Sequence, residues 1–332
     1  MRVGLLGATG YTGRLTAAEL HRRGIDCRLG GRSKDRLVAV AQFGETCVVD
    51  TGDRDRLHGF LDGLDAVISC VGPFELLGRP VVAAAVECGV PYVDSTGEPA
   101  FIADVYSRYG TAGTPVVPAC AMDYIPGDFA AALAAGSLGI PPEEFLLGYR
   151  MNATKASRGT ARSAVGAIGS ITMAPRRVVL PFPDGDRAGV VVPWGEELTV
   201  PRHQPQATVA TALVMPALVA RMAPAGRAFG PVLSLVRPLL ARLVERLPEG
   251  PDETARGAAT ADVLAVARGG GRQATALVRC RDVYGLTAQL LVESAVRVPA
   301  ARPGALAPAQ AFDARAFLDA VSGDLISYSV LS

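Results

Sequence analysis

Gly7, Gly10 and Gly13 stand three residues apart, directly after the apolar run Val3–Leu6 and at the start of a helical pattern. No other feature of the chain constrains its fold as tightly. The first glycine permits a tight turn, the second lets backbone approach a pyrophosphate, and the third lets helix and strand pack closely. The helix N-terminus then offers N–H groups and partial positive charge to phosphate oxygens. Glycine spacing alone is weak; strand, turn and helix in register make it a dinucleotide-binding turn, with Thr9, Tyr11 and Thr12 lining it between the glycines.

A second strand, 26–29, decides which dinucleotide. An NAD site ends this strand in an acid that grips the ribose 2′-hydroxyl. Here the strand runs into Gly30-Gly31-Arg32-Ser33. Arg32 can pair with a 2′-phosphate and Ser33 can hydrogen-bond it, which points to NADP(H). In the alternative reading Arg32 is a solvated surface residue and Asp35 takes the ribose. Asp35 better suits the first turn of a helix over 34–42, capped by Ser33.

The spacing continues the pattern. Helices are predicted at 12–23 (with Leu15, Ala18 and Leu20 on one side), 54–61 and 79–88. Strands are predicted at 46–49 (ending at Asp50), 66–71, 91–93 and 115–118. Such alternation means an α/β fold with a doubly wound parallel sheet. A chain of 332 residues exceeds what one core usually serves, so two domains are expected. Beyond Asp123 the texture changes. A helix is read at 127–138, a strand at 145–150, a helix at 163–173 and a last short helix at 314–321. Residues 190–200 and 273–298 alternate like half-buried antiparallel strands, 206–248 reads as broken amphipathic helices, and 299–309 as loop. The division drawn is 1–126 and 127–311, with the C-terminal helix 312–332 free to pack back on the first domain.

Thirty-three basic residues balance 32 acidic ones, so charge gives no reason to expect nucleic acid as partner. No window reads as a transmembrane segment, and the short apolar start runs into the glycine turn instead of a signal pattern. The six cysteines form no C-x-x-C pair; structural thiols in a reducing cytoplasm are the expectation, with no metal. The only lysines are Lys34 and Lys155, and neither has a tyrosine four residues before it, so the Tyr-x-x-x-Lys machinery of short-chain dehydrogenases is absent. Cys70 and Cys120 lie outside any Asn-Pro-Gly-Cys loop and read as buried strand-end thiols, not nucleophiles.

Strand 66–71 ends in Cys70-Val71-Gly72-Pro73-Phe74, at the carboxyl edge where open α/β sheets bind ligands. Pro73 fixes a corner and Gly72 lets backbone approach the nicotinamide. Thr96-Gly97-Glu98 follows the next strand and should line the same crevice, although Glu98 also reads as a helix-cap neighbour. Asp50 falls near the adenine. Hydride transfer needs a positioned nicotinamide and then a proton donor. Tyr124 is the candidate donor, Asp123 could orient it or the nicotinamide amide, and Lys155 could donate or bind a substrate carboxylate. Each also has a structural or surface reading. His21, His58 and His203 are not expected to act as acids.

Together, Gly7–Gly13, Ile68-Ser69-Cys70-Val71-Gly72-Pro73-Phe74, Tyr92-Val93-Asp94-Ser95-Thr96-Gly97-Glu98 and Asp123-Tyr124-Ile125-Pro126-Gly127-Asp128 resemble the saccharopine dehydrogenase-like NADP-binding family, including its trans-acting enoyl reductase branch. Weaker likeness continues at Ser157–Ser163, where Arg158 replaces a glycine of the family pattern, at 250–256 and at Asp282–Ala288. The resemblance implies an NADPH-dependent reductase with a Rossmann domain and a second, mixed α+β domain. One reading is reduction of an activated C=C bond on a small-molecule or carrier-bound acyl chain. Another is C=N chemistry, for which Arg150, Lys155, Arg158 and Arg162 could bind carboxylates. A third is a non-catalytic NADP-binding protein. The apolar stretch 206–248 could cover a lipid-like substrate, touch a membrane surface or seat the partner of a homodimer.

Overall fold

The computed structural model describes residues 1–152, 157, 158, 161, 176–216, 242–244, 246 and 249–331. The predicted helix 163–173, most of 217–248 and Lys155 lie outside the described residues. Two compact units result: Met1–Ile125 with Val283–Ser322, and Pro126–Asp282 with Gly323–Ser332. Residues 283–311, grouped with the second domain on sequence, therefore cluster with the first.

The first unit is built on β1 (Arg2–Leu6), β2 (Asp26–Gly31), β3 (Glu45–Val48), β4 (Ala66–Ser69), β5 (Tyr92–Asp94), β6 (Pro115–Val117) and β13 (Gly304–Ala305). All are parallel, in the order β13-β6-β5-β4-β1-β2-β3. β1 and β4 are apolar and buried almost throughout, as strands covered on both faces must be. The order reverses at β1, so the crevice beyond the carboxyl ends of β1 and β4 is the topological switch point.

Helices α1 (Tyr11–Arg22), α2 (Lys34–Val38), α3 (Arg54–Leu61), α4 (Phe74–Glu87) and α5 (Pro99–Tyr109) join these strands. The face α1 buries is Gly13, Thr16, Ala17 and Leu20, at helical spacing. Leu15 and Ala18, read as its apolar side, are only half-buried. α4 starts at Phe74, five residues before its predicted start, and tolerates Pro80 in its interior. Pro99 at the first helical position starts α5, which the sequence reading lacked.

The alternation read over 273–298 covers two different elements. Strand β12 (Arg272–Arg281) ends at Asp282, whose φ of 43° breaks the ladder, and a helix runs over Val283–Arg297. That helix buries Val283, Leu286, Thr287, Leu290, Leu291 and Ser294, a 3.6-residue repeat. It packs on α1, where Arg23 Nη1 reaches Glu293 at 2.6 Å and Tyr11 meets Tyr284 edge-on at 5.2 Å.

The second unit holds a mixed sheet in the order β14-β12-β11-β7-β10-β9-β8. Its strands are β7 (Glu144–Asn152), β8 (Arg177–Phe182), β9 (Gly185–Val192), β10 (Thr208–Val214), β11 (Thr260–Gly269), β12 and β14 (Ile326–Leu331). Among the described residues of this sheet, β7 and β10 pair in parallel and the other neighbours pair antiparallel. β10 replaces the start of the helices predicted from 206, and β9 gives way to a helical turn at Glu196–Thr199. Leu146, Leu180, Phe182, Ala212, Leu264, Val266 and Leu277 form a core on this sheet. Helix α6 (Ile125–Leu138) starts at the boundary of the two units.

Candidate functional site

The glycine turn has the geometry its spacing predicts. Gly7 adopts φ +79°, and the N–H groups of Gly7 and Ala8 both donate to the Gly30 carbonyl, at 3.0 and 3.1 Å. The Gly10 N–H donates to Gly7 O at 3.0 Å. A Cβ on Gly13 would overlap the Gly7 carbonyl oxygen and stand 2.9 Å from Ala8 Cα, so α1 can lie this close to the turn only with glycine there. A Cβ on Gly10 would meet only Gly7 O, at 3.3 Å. The space above Gly10 is an open cradle, and α1 has neither a capping side chain at Gly10 nor an acid in its first turn. A dinucleotide pyrophosphate fits this cradle, and the partial positive charge of α1 faces it without a competing carboxylate.

At the tip of β2, Arg32 is exposed and no acid stands at 30–33. Ser33 caps α2 by accepting the Arg36 N–H at 3.4 Å, as its position predicted. Thr9, within the turn, accepts from Arg14 Nη1 at 2.9 Å and from Arg36 Nη2 at 3.0 Å. Neither arginine was singled out on sequence. Asp50 is exposed and closes a local turn by accepting the Gly52 N–H at 2.8 Å.

On the other side of the crevice, Cys70 N–H joins β4 to β1 through Leu6 O at 2.9 Å. Burial pushes the Cys70 thiol up to about 12, which removes it as a nucleophile near neutrality. Val71 is half-buried, Gly72 and Pro73 are exposed, and Phe74 turns inward against Phe101 at 5.5 Å. Glu98 is a helix cap: its two carboxylate oxygens accept the N–H groups of Phe74 and Glu75, at 3.0 and 2.9 Å. Those bonds tie the 96–98 segment to the Gly72–Pro73 corner. Thr96 is buried and its hydroxyl accepts the Glu98 N–H at 3.1 Å.

Asp94 organises both loops at this edge and was missed as a functional residue. It is fully buried; one oxygen accepts the N–H groups of Thr96 and Ala119, each at 2.9 Å, and the other accepts the Tyr92 hydroxyl at 2.8 Å. Burial raises its pKa to about 6 against the opposing hydrogen bonds. Ala119 is held in the left-handed region at φ 63°, a strained conformation of the sort that clusters at functional sites. The acid ending a buried strand was the available signal.

The loop after β6 brings Asp123 and Tyr124 to Gly97. A Cβ on Gly97 would stand 3.2 Å from Asp123 Oδ2, and the Tyr124 hydroxyl lies 3.4 Å from Gly97 O. Tyr124 is buried, while solvent reaches Asp123. Desolvation by the surrounding protein raises the Asp123 pKa to about 6. Thr287 Oγ1 braces the loop by accepting the Met122 N–H at 3.4 Å. Gly72, Pro73, Gly97 and Asp123 are thus exposed along the carboxyl ends of β4, β5 and β6.

The second unit carries a polar network that the sequence reading did not find. Glu196 is fully buried, hydrogen-bonded to the Tyr149 hydroxyl and 3.3 Å from Thr211 Oγ1. Trp194 stacks on Tyr149 at 5.8 Å. Asp128, also fully buried in the first turn of α6, meets His203 Nε2 at 2.9 Å. His203, read as a loop residue, is a partner for a buried carboxylate, its side chain only 10 % exposed.

Comparison with known proteins places these observations. Residues 3–122 match the family profile described as the saccharopine dehydrogenase NADP binding domain. A Mycobacterium tuberculosis protein provisionally described as a trans-acting enoyl reductase is 37 % identical over 137 residues, covering 37 % of this chain and 33 % of that relative. The trans-acting enoyl reductase of Mycobacterium ulcerans is 35 % identical over 137 residues, with the same shares. The match therefore spans about a third of the length of these relatives. Saccharopine dehydrogenase (L-Glu forming) from Saccharomyces cerevisiae superposes over 100 % of both chains with a TM-score of 0.65 at 14 % identity, a likeness of fold. Among the described residues no helix is long and apolar enough to cross a membrane.

Proposed function

We propose, from the premise that residues 3–122 are a saccharopine dehydrogenase-type NADP-binding domain, that this protein is an NADPH-dependent oxidoreductase that reduces an activated C=C bond of an acyl substrate. The cradle over Gly10, closed on one side by Gly7 and Gly13 and flanked by arginines, carries the cofactor half of the reading. The names of the trans-acting enoyl reductases support the substrate half. An acyl group carried by another protein, a homodimer and a cytoplasmic location belong to the same proposal.

Bound NADPH would supply a hydride. The chain must hold the cofactor, keep the nicotinamide wall low and deliver a proton to the second carbon of the double bond. Gly72 and Gly97 give a wall without side chains. Of the candidates, Asp123 suits the proton best: its raised pKa keeps part of it protonated near neutrality, and it is accessible. Tyr124 is buried with its hydroxyl at Gly97 O and serves to position that loop.

The C=N reading needs cations for amino-acid carboxylates. Arg150, one of those named for it, is already paired with Asp184 at 2.7 Å and with Asp262 at 3.1 Å. Oxidation of NADPH against a panel of enoyl, imine and carbonyl compounds separates the two chemistries; turnover confined to imines would overturn the C=C proposal.

Arg32→Asp should weaken NADPH by about tenfold or more and spare NADH, because it replaces a charge-assisted partner of the 2′-phosphate with a repelling charge. Equal affinity of the unmodified protein for the two cofactors would refute the NADP(H) assignment. Asp123→Asn should keep NADPH affinity and slow turnover roughly a hundredfold. An acid at about 6 loses its proton as pH rises, so turnover should decline above that pH, and the variant should lack this limb. A larger loss in Tyr124→Phe than in Asp123→Asn would return the donor role to the phenol.

A further inference from the structure

We infer that Tyr284, in the first turn of the helix Val283–Arg297, is a positioning residue for the nicotinamide riboside half of the cofactor, with the Tyr11 ring as its partner. The inference rests on the NADP(H) reading above. Its ground is the placement of two helices. α1 and the helix Val283–Arg297 start together, where the Tyr11 and Tyr284 rings meet at 5.2 Å with their planes 88° apart. Toward their far ends Arg23 Nη1 reaches Glu293 at 2.6 Å, so the two helices run parallel. α1 follows the glycine turn at the carboxyl end of β1, and its N-terminus therefore opens at the carboxyl edge of the sheet. The helix Val283–Arg297 opens at the same edge. Thr287 lies one turn further in, on the same helix face as Tyr284. Its hydroxyl accepts the Met122 N–H at 3.4 Å, next to Asp123. Tyr284 thus touches the residue that follows Gly10 and stands a turn nearer the edge than the bond that holds the Asp123 loop.

A dinucleotide specifies what has to lie beside this turn. Its pyrophosphate takes the cradle over Gly10, and its nicotinamide has to come within reach of Gly97 and Asp123. The nicotinamide ribose and ring span the distance between those two points, and Tyr284 borders that span at both ends. Both tyrosines are half-buried, so part of each ring surface is open to a ligand. The edge-to-face pairing orients both rings before the cofactor arrives, and less side-chain freedom is then lost on binding. The rings offer ribose and nicotinamide an apolar surface without adding charge. No acid stands in the first turn of either helix to repel the neighbouring phosphates. Gly72 and Gly97 keep the sheet-edge wall free of side chains, which leaves the nicotinamide room to slide; the tyrosines supply the bulk that limits this sliding.

The test measures dissociation constants of NADPH and of 2′,5′-ADP, which lacks the nicotinamide riboside, on the full chain. Tyr284→Ala should weaken NADPH about tenfold and change 2′,5′-ADP less than about twofold. The second value also checks that the glycine turn is still folded in the variant. Tyr284→Phe should keep NADPH affinity within about twofold of the parent, since the ring and not the hydroxyl does the positioning. Equal losses of NADPH and 2′,5′-ADP in Tyr284→Ala would overturn the inference, because Tyr284 would then only brace α1. An unchanged NADPH constant would overturn it too, even with a raised KM for an enoyl substrate, because the ring would then line the substrate side. A loss in Tyr284→Phe as large as in Tyr284→Ala would overturn the ring's part. A parent protein that binds neither NADPH nor 2′,5′-ADP would overturn the NADP(H) reading itself.

Discussion

Gly13→Ala is expected to abolish NADPH binding and to destabilise the first unit by roughly 3 kcal/mol or more, the upper end of what overpacking costs. Helix propensity alone predicts the opposite sign, since alanine in a helix gains about 1 kcal/mol over glycine. The local geometry decides. The added Cβ overlaps Gly7 O and crowds Gly7 C and Ala8 Cα, each at 2.9 Å. All three are backbone atoms of the phosphate turn, so no side chain can swing away. Relief requires lifting α1 off β1, and that dismantles the hydrogen bonds from Gly7 and Ala8 to Gly30. Two controls separate the causes. Gly10→Ala meets only one atom, so it should fold and still lose cofactor as the cradle fills. Gly59→Ala, exposed in α3 with nothing within 4 Å, should be neutral or stabilising by about 0.5–1 kcal/mol. Thermal midpoints and NADPH titrations of the three variants check this; a Gly13→Ala protein that binds NADPH normally would show that the turn is not the cofactor site.

The turn was legible because its chemistry is local: three glycines, a strand and a helix lie within a few residues of one another. The β–α alternation was legible for the same reason, and α3 lies where its pattern put it. What was not legible depends on contacts between distant residues. Glu98 caps a helix whose first N–H groups stand 23 and 24 residues away in sequence. Arg36 reaches Thr9 across 27 positions, so its relation to the turn exists only once β1 and β2 pair. Glu196 and Tyr149 are 47 residues apart. The helix Val283–Arg297 failed for another reason: its apolar positions fit both a period of two and a period of 3.6 over short windows, and the left-handed residue that divides it from β12 is an ordinary aspartate.

Glu196→Gln should make the second unit's stability less sensitive to alkali. Burial pushes the Glu196 carboxyl up to about 8, from 4.5 for an ordinary glutamate, and the nearby Asp128 charge adds to the rise. The hydrogen bonds from Tyr149 and Thr211 act the other way but do not offset burial. A folded-state pKa raised in this way contributes stability that is complete below the unfolded value and is lost as pH rises through the folded one. Between pH 4.5 and about 8 the parent protein therefore loses stability from this group, up to roughly 4–5 kcal/mol if the carboxylate must finally ionise in place. Glutamine keeps oxygen and nitrogen near Tyr149 and Thr211 but does not titrate, so its contribution is flat across the window. The variant should come nearest the parent below pH 4.5, exceed it by a growing margin up to about pH 8 and keep a constant margin above that, measured as denaturant midpoints at each pH. Parallel curves for the two proteins over that range would show that Glu196 does not hold a proton in the folded state.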